Sequence, residues 1–274
     1  MMTKAIVDHA LRALLYEVVT NPKPGLVDPV DAGSHLDMDV FTFINSSLAL
    51  EDYLNYACEL GESFTESDLT IMFNLLRQAG LNAEKAMLKA TNNVNTHKGA
   101  VFSLGIFVCA QSYAKKNHQN IYQVIKKMCN NLVKKDLSQK KVNETAGERQ
   151  YKRYGLGGVR QLAQDGYPVV EKVAYPFLIQ ATGNLNERFL DTLIVLALNT
   201  QDSTFIKRAG GIDKLPWLKE VCEHYLDLGG SKMPAGFAYL RKLNKIFKEN
   251  NYSLGGCADL LILTIFMALE NNEL

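Results

Sequence analysis

Apolar residues recur at helical spacing along most of the chain, and polar stretches cut the pattern into segments. Residues 3–20 place Ala5, Ile6, Ala10, Ala13, Leu14 and Val18 on one stripe, which predicts an amphipathic helix ended by Asn21 and Pro22. A second helix is predicted over 39–60, stopping at Gly61. "TESD" resembles a capping start for a helix over 66–79, with Gly80 as a break before 81–90. The run "AVFSLGIFVCAQSYA" is apolar on nearly every side and predicts a buried helix. A lysine-faced amphipathic helix follows at 118–135. Residues 136–158 are charged and aperiodic, which reads as a mobile loop. Further helices are expected at 159–165, 169–182, 186–200, 214–227, 234–248 and 256–271. Alternating β runs and internal repeats are absent. The fold class is all-α, and with no Pro/Ser/Gly-rich linker the chain reads as one compact multi-helix domain, 1–274.

Composition narrows the function classes. The 274 residues are 47% hydrophobic and 22% charged, enough for a large globular core. A formal net charge of +1 argues against nucleic acid as the main partner. The longest apolar stretch, Leu260 to Leu269, is too short for a bilayer, which needs about 20 residues. The first helix carries charges throughout, unlike a signal peptide. Cys58, Cys109, Cys129, Cys222 and Cys257 show no CxxC spacing. They read as reduced cysteines of a cytoplasmic protein, with no membrane association.

The interruptions share a chemistry. The first, "NPKPGLVDPVDAGSHLD" at 21–37, concentrates three of the seven prolines together with Lys23, Gly25, Asp28, His35 and Asp37. The others are "NVNTHKG" at 93–99, "TAGERQYKRYGLGGVR" at 145–160, "NTQDSTFIKRAGG" at 199–211 and "SLGGCADL" at 253–260. Each pairs glycine with charged or hydroxyl-bearing residues, and several abut a helix start. That combination suits phosphate, because helix N-termini offer free N–H donors and glycine lets a ligand reach the backbone. Lys23, Lys98, Arg160 and Arg208 can supply positive charge. Asp28, Asp37, Asp202 and Asp259 would repel a bare polyphosphate, and they suit a bridging Mg²⁺. No Walker A sequence is present. Each feature also has a structural reading. The prolines can be a stop and a turn, Gly255 and Gly256 close packing, Thr96 an N-cap, and Asp259 a complement to a helix dipole.

In this order, the motifs "PKPGLVD" with "GSHLDM", "NTHKGAVFSLG", "TAGERQY" with "GLGGVR", "DSTFIKRAGG" and "LGGCADLL" resemble the triphosphoribosyl-dephospho-CoA synthase family. They extend over residues 17–263. The resemblance implies a pentosyltransferase that moves the 5-triphosphoribosyl group of ATP to the ribose 2'-hydroxyl of 3'-dephospho-CoA and releases adenine. The product would be the prosthetic-group precursor of citrate lyase, whose acyl-carrier machinery is an indirect partner; a related branch serves malonate decarboxylase. A homodimer is the assembly considered. The chain departs from the family pattern at Leu254 and Cys257, where Pro and Ser are expected. It departs also at Ser203-Thr204 for Thr-Asn, and at Leu162 for an acid.

The reaction assigns expected roles. Lys23, Lys98, Arg160 and Arg208 bind phosphates. Thr96, Ser203 and Ser253 offer hydroxyls, and Gly25, Gly99, Gly210, Gly211, Gly255 and Gly256 admit the substrate to the backbone. Asp28, Asp37, Asp202 and Asp259 form the pool for Mg²⁺ ligands and for a carboxylate near the ribose C1, where positive charge develops. His35 and His97 lead as acid and base, with Asp28 and Asp37 beside them. Two alternatives remain open: an all-α metal-dependent nucleotide phosphohydrolase, and a diverged nucleotide- or CoA-binding protein without turnover.

Overall fold

The computed structural model describes residues 2–137 and 146–274. Among them the chain is helical, with no strand. The all-α expectation is met. No helix is long and apolar enough to cross a membrane among the described residues. The chain gathers into two compact units, one of Met1–Arg12 with Asn45–Pro168 and one of Ala13–Ile44 with Val169–Leu274. Helices α1 (Met2–Val19) and α2 (Val40–Ala49) contribute residues to both.

The first unit is built on α5 (Lys98–Asn117), the run that is apolar on every side. A helix with no polar face must be surrounded. Packed on it are α3 (Glu51–Ser63), α4 (Leu69–Ala90), α6 (Ile121–Met128) and α9 (Gly158–Gln164). Glycines set the closest approach: a Cβ on Gly61 would strike the Cys109 carbonyl, and one on Gly105 the Tyr53 hydroxyl. That hydroxyl donates to the Val101 carbonyl at 3.0 Å. Short helices α7 (Leu132–Leu137) and α8 (Ala146–Tyr154) complete the described part of this unit.

The second unit centres on α15 (Gly255–Glu270), buried from Leu260 to Glu270. It packs against α10 (Tyr175–Gln180), α11 (Leu185–Asn199) and α12 (Ser203–Arg208), with α13 (Leu215–Asp227) and α14 (Pro234–Glu249) outside them. Phe205, Trp217, Phe247 and Tyr252 form a cluster of rings with centroids 5.1–6.4 Å apart.

Several boundaries differ from the pattern. Gly80 does not break α4; it lies inside one 22-residue helix, because interior glycine costs only about 1 kcal/mol and tertiary packing outweighs it. The segment 39–60 is two helices meeting at buried Leu50, with Glu51 and Asp52 favouring a new N-terminus. The segment 118–135 breaks before Asn131, which adopts φ +58. Residues 169–182 open with a π turn, Val170–Ala174; Pro176 lacks the N–H that an α-helical ladder needs. Of the expected loop 136–158, residues 138–145 lie outside the described residues, and 146–154 is helical rather than loop. Glu148 and Gln150 form part of its buried side, so apolar counting does not see α8.

Candidate functional site

In the second unit, the loop from Thr20 to Asp39 is fastened at almost every step. The Asn186 side chain brackets Asn21, accepting from its N–H at 2.8 Å and donating to its carbonyl at 2.7 Å. Lys23 is 1% exposed, and its ammonium donates to the Glu17 carboxylate at 2.5 Å and the Glu17 carbonyl at 2.7 Å. Asp28 accepts backbone N–H bonds from Lys23, Val30 and Asp31. Gly25 takes φ +67, and a Cβ there would collide with the Tyr252 carbonyl. Its N–H donates to Asn244 Oδ1, while Asn244 Nδ2 donates to Asp31. Lys248 also holds Asp31, at 2.8 Å. The prolines are thus one part of a loop that side chains from α1, α11 and α14 over-determine.

The loop delivers His35 to Arg208. One terminal nitrogen of Arg208 donates to the Ser34 carbonyl at 2.9 Å and to Asn251 Oδ1 at 2.6 Å. The other lies 3.2 Å from His35 Nδ1, and His35 Nε2 lies 3.3 Å from Ser253 Oγ. The same Arg208 nitrogen also lies 3.5 Å from His35 Nε2, and because a guanidinium only donates, it meets the imidazole where a ring nitrogen can accept. Burial, then the Arg208 charge, lower the His35 pKa below 6.5, against an upward pull from Asp37. Both lowering influences favour the neutral imidazole over the charged one. Asp37 is exposed and acts on both His35 and Arg208.

Asp202 caps two helices. Its Oδ1 accepts from Thr204 and Phe205 N–H at 2.7 and 2.9 Å, which starts α12. Its Oδ2 accepts from Cys257 N–H at 2.7 Å, in the first turn of α15. Gly255 and Gly256 permit this approach: Cβ atoms there would lie 3.2 Å from Thr204 and 3.1 Å from the Asp202 carboxylate. Close packing is therefore the structural role of that glycine pair. Burial raises the Asp202 carboxyl pKa against the pull of those N–H donors. Asp259 is pushed well above the usual range by burial and by the charges of Glu17 and Asp202. Cys257 and Leu254 are fully buried, so both departures from the family pattern face the interior. Replacing Asp202 with alanine is expected to cost about 2–4 kcal/mol, a lost cap plus an unsatisfied buried N–H. Urea unfolding measures it.

In the first unit, Thr96 is not the N-cap of α5. Its hydroxyl donates to Ser46 Oγ at 2.7 Å, and Ser46 Oγ lies 2.7 Å from Nδ1 of buried His97. Lys98 pairs with Glu84 at 2.8 Å and is 61% exposed. Arg160 pairs through Nε with Asp136 at 2.8 Å, and Arg77 holds the same carboxylate with both terminal nitrogens. Gly99 lies in the first turn of α5. A Cβ on Gly210, with φ +79, would meet no described atom within 4 Å beyond its two chain neighbours; Ser203 opens α12, and Gly211 lies beyond its end.

The expected Mg²⁺ ligands do not assemble. Among the described residues no three His, Cys, Asp or Glu side chains form a metal-holding group. Asp28 and Asp202 spend their oxygens on backbone N–H groups. Among the described residues the carboxylates thus make no protein-only Mg²⁺ cage; an ion shared between one carboxylate and substrate phosphates needs fewer protein ligands than such a cage. Sequence reading also missed Glu17, Ser46, Asp136, Asn186, Asn244 and Asn251. Glu17 alone left a signal: it falls on the buried stripe of α1, beside Ala13, Leu14 and Val18.

The family described as CitG, ATP:dephospho-CoA triphosphoribosyl transferase, matches residues 3–274. A "Probable 2-(5''-triphosphoribosyl)-3'-dephosphocoenzyme-A synthase" from Lactiplantibacillus plantarum is 48% identical over the full length of both chains. The "Protein CitXG" of Leuconostoc mesenteroides subsp. cremoris is 48% identical over 98% of this chain, which spans 59% of that longer relative. A protein from Citrobacter koseri with the same description as the first is 37% identical over 94% of this chain and 88% of its own length. No solved structure matches.

Proposed function

Because the chain belongs to the ATP:dephospho-CoA triphosphoribosyl transferase family, we propose that residues 1–274 act as one functional domain in the cytoplasm, moving the 5-triphosphoribosyl group of ATP onto 3'-dephospho-CoA. The family match over 3–274 carries this reading. The product then serves as the prosthetic-group precursor of citrate lyase. Five free, buried cysteines support a reducing compartment.

In the reaction the 2'-hydroxyl oxygen bonds to the ribose C1 of ATP as the C1–N9 bond breaks. The bonding electrons leave with adenine, which takes up a proton, and the hydroxyl proton needs a base. The triphosphate stays on the transferred ribose, so the site must hold it without promoting P–O cleavage. Arg208 suits that task, and its pull towards phosphate would release a ring nitrogen of His35 to accept the hydroxyl proton. Asp37 offers an exposed carboxylate beside the same imidazole for charge developing at C1. Lys23 and Asp28 shape the loop that presents this group and are spent in doing so.

The test is one incubation with ATP, Mg²⁺ and 3'-dephospho-CoA, read by liquid chromatography and mass spectrometry. Free adenine with a triphosphoribosyl adduct of dephospho-CoA is the expected result. Phosphate release without adenine, or unchanged substrates despite ATP binding, would overturn it.

A further inference from the structure

The ion pairs of the first unit differ in what they leave open. Asp136 is buried, and its two oxygens meet three guanidinium nitrogens at 2.8 Å each. Arg77 spends both terminal nitrogens on it. Arg160 spends only Nε, and its side chain is 23% exposed. Among the described residues the two terminal nitrogens of Arg160 make no hydrogen bond. That edge lies next to the start of α8: a Cβ on Gly147, in its first turn, would stand 3.8 Å from Arg160 Nη1. The two arginines and one carboxylate leave the group with net positive charge. The Val133 N–H bond to Gln164 Oε1, at 3.0 Å, ties α7 to α9, so Asp136 and Arg160 keep a fixed relation.

We infer that Asp136 is a positioning residue: it grips Arg160 by Nε and aims the terminal fork at a phosphate group of the substrate, seated beside Gly147. A guanidinium can do both at once because its donors lie in a fixed plane with one edge for each partner. Lysine cannot, since its single ammonium would settle on Asp136. The shared ligand chemistry is a polyphosphate, present as the triphosphate of ATP and as the diphosphate of 3'-dephospho-CoA. This inference rests on the transferase reading above for its choice of ligand, and its test does not depend on turnover.

ATP and 3'-dephospho-CoA are titrated separately into the full-length protein by calorimetry, with thermal melting of every variant. Arg160→Gln is expected to weaken one of the two ligands about tenfold, the loss of a charge-assisted bond, and so identifies which polyphosphate is held. Arg160→Lys should weaken the same ligand nearly as much despite keeping the charge. Asp136→Asn should weaken it severalfold, with Asp136→Glu recovering part. Adding Asp136→Asn to Arg160→Gln should bring no further loss, because the carboxylate acts through the arginine. Wild-type binding by Arg160→Lys overturns the inference, even if Asp136→Asn fails to fold. So does an Asp136→Asn effect that persists undiminished without Arg160, or Kd values unmoved by either single change. A wild-type protein that binds both ligands as described yet releases no adenine would instead sink the transferase reading and leave this one standing.

Discussion

Alanine at Glu17 is expected to destabilise the protein by about 3–5 kcal/mol, the cost of stranding a buried charge. Lys23 is 1% exposed and both described hydrogen bonds of its ammonium go to Glu17, one to the carboxylate and one to the carbonyl. Removing the carboxylate leaves an ammonium in the interior with only a carbonyl to face. The damage should spread along the loop, because the Lys23 N–H also donates to Asp28, which organises the turn through Val30 and Asp31. Urea unfolding gives the measurement, with the midpoint falling at an unchanged slope. The double change Glu17→Leu with Lys23→Met should recover much of the loss, since an apolar pair of similar volume often replaces a buried ion pair at little cost. A single Glu17→Ala variant as stable as the parent would show that the pair does not hold this loop.

Arg208→Gln is expected to reduce kcat/KM for adenine release by about 10–100-fold, the value of a hydrogen bond from a charged group. Folding should survive better than in the Glu17 variant, because Arg208 is only partly buried and its partners can turn to water. A second readout separates its roles. Burial and the Arg208 cation hold the His35 pKa below 6.5, with Asp37 opposing them. Glutamine at 208 removes one of the two lowering influences, so the His35 pKa rises. If His35 works as the base, the acid limb of the pH–rate profile should move to higher pH in the variant. A reduced rate with an unmoved acid limb would leave Arg208 as a phosphate anchor and remove His35 from proton transfer.

The sequence was legible where local chemistry decides. Helical spacing gave the class, and α5 was recognisable as buried because it has almost no polar face, whereas α15 was expected only as a further helix. Most α-helices were located to within a few residues. The short helices α8 and α12 were not, because polar residues form part of the buried side of one and the other is six residues long inside a glycine-rich motif. Gly80 misled because a local penalty was read without the packing that outweighs it.

For the candidate site, the sequence by itself identified the residue types and the five loops that carry them, since glycine, hydroxyl and charge beside helix starts mark a phosphate chemistry. It could not say which charges are free to act. Whether a lysine binds substrate or closes an ion pair depends on what stands within about 3 Å of its nitrogen, and that neighbour comes from another helix. Lys23 meets Glu17, Arg160 meets Asp136, and Asp202 meets the N–H of Cys257, 55 positions away. Only the tertiary structure set Lys23, Asp28 and Asp202 to holding the fold and left the His35–Arg208–Asp37 group half open. Hydrogen-bond partnership is a short-range fact of three dimensions, and the order of residues along a chain does not contain it.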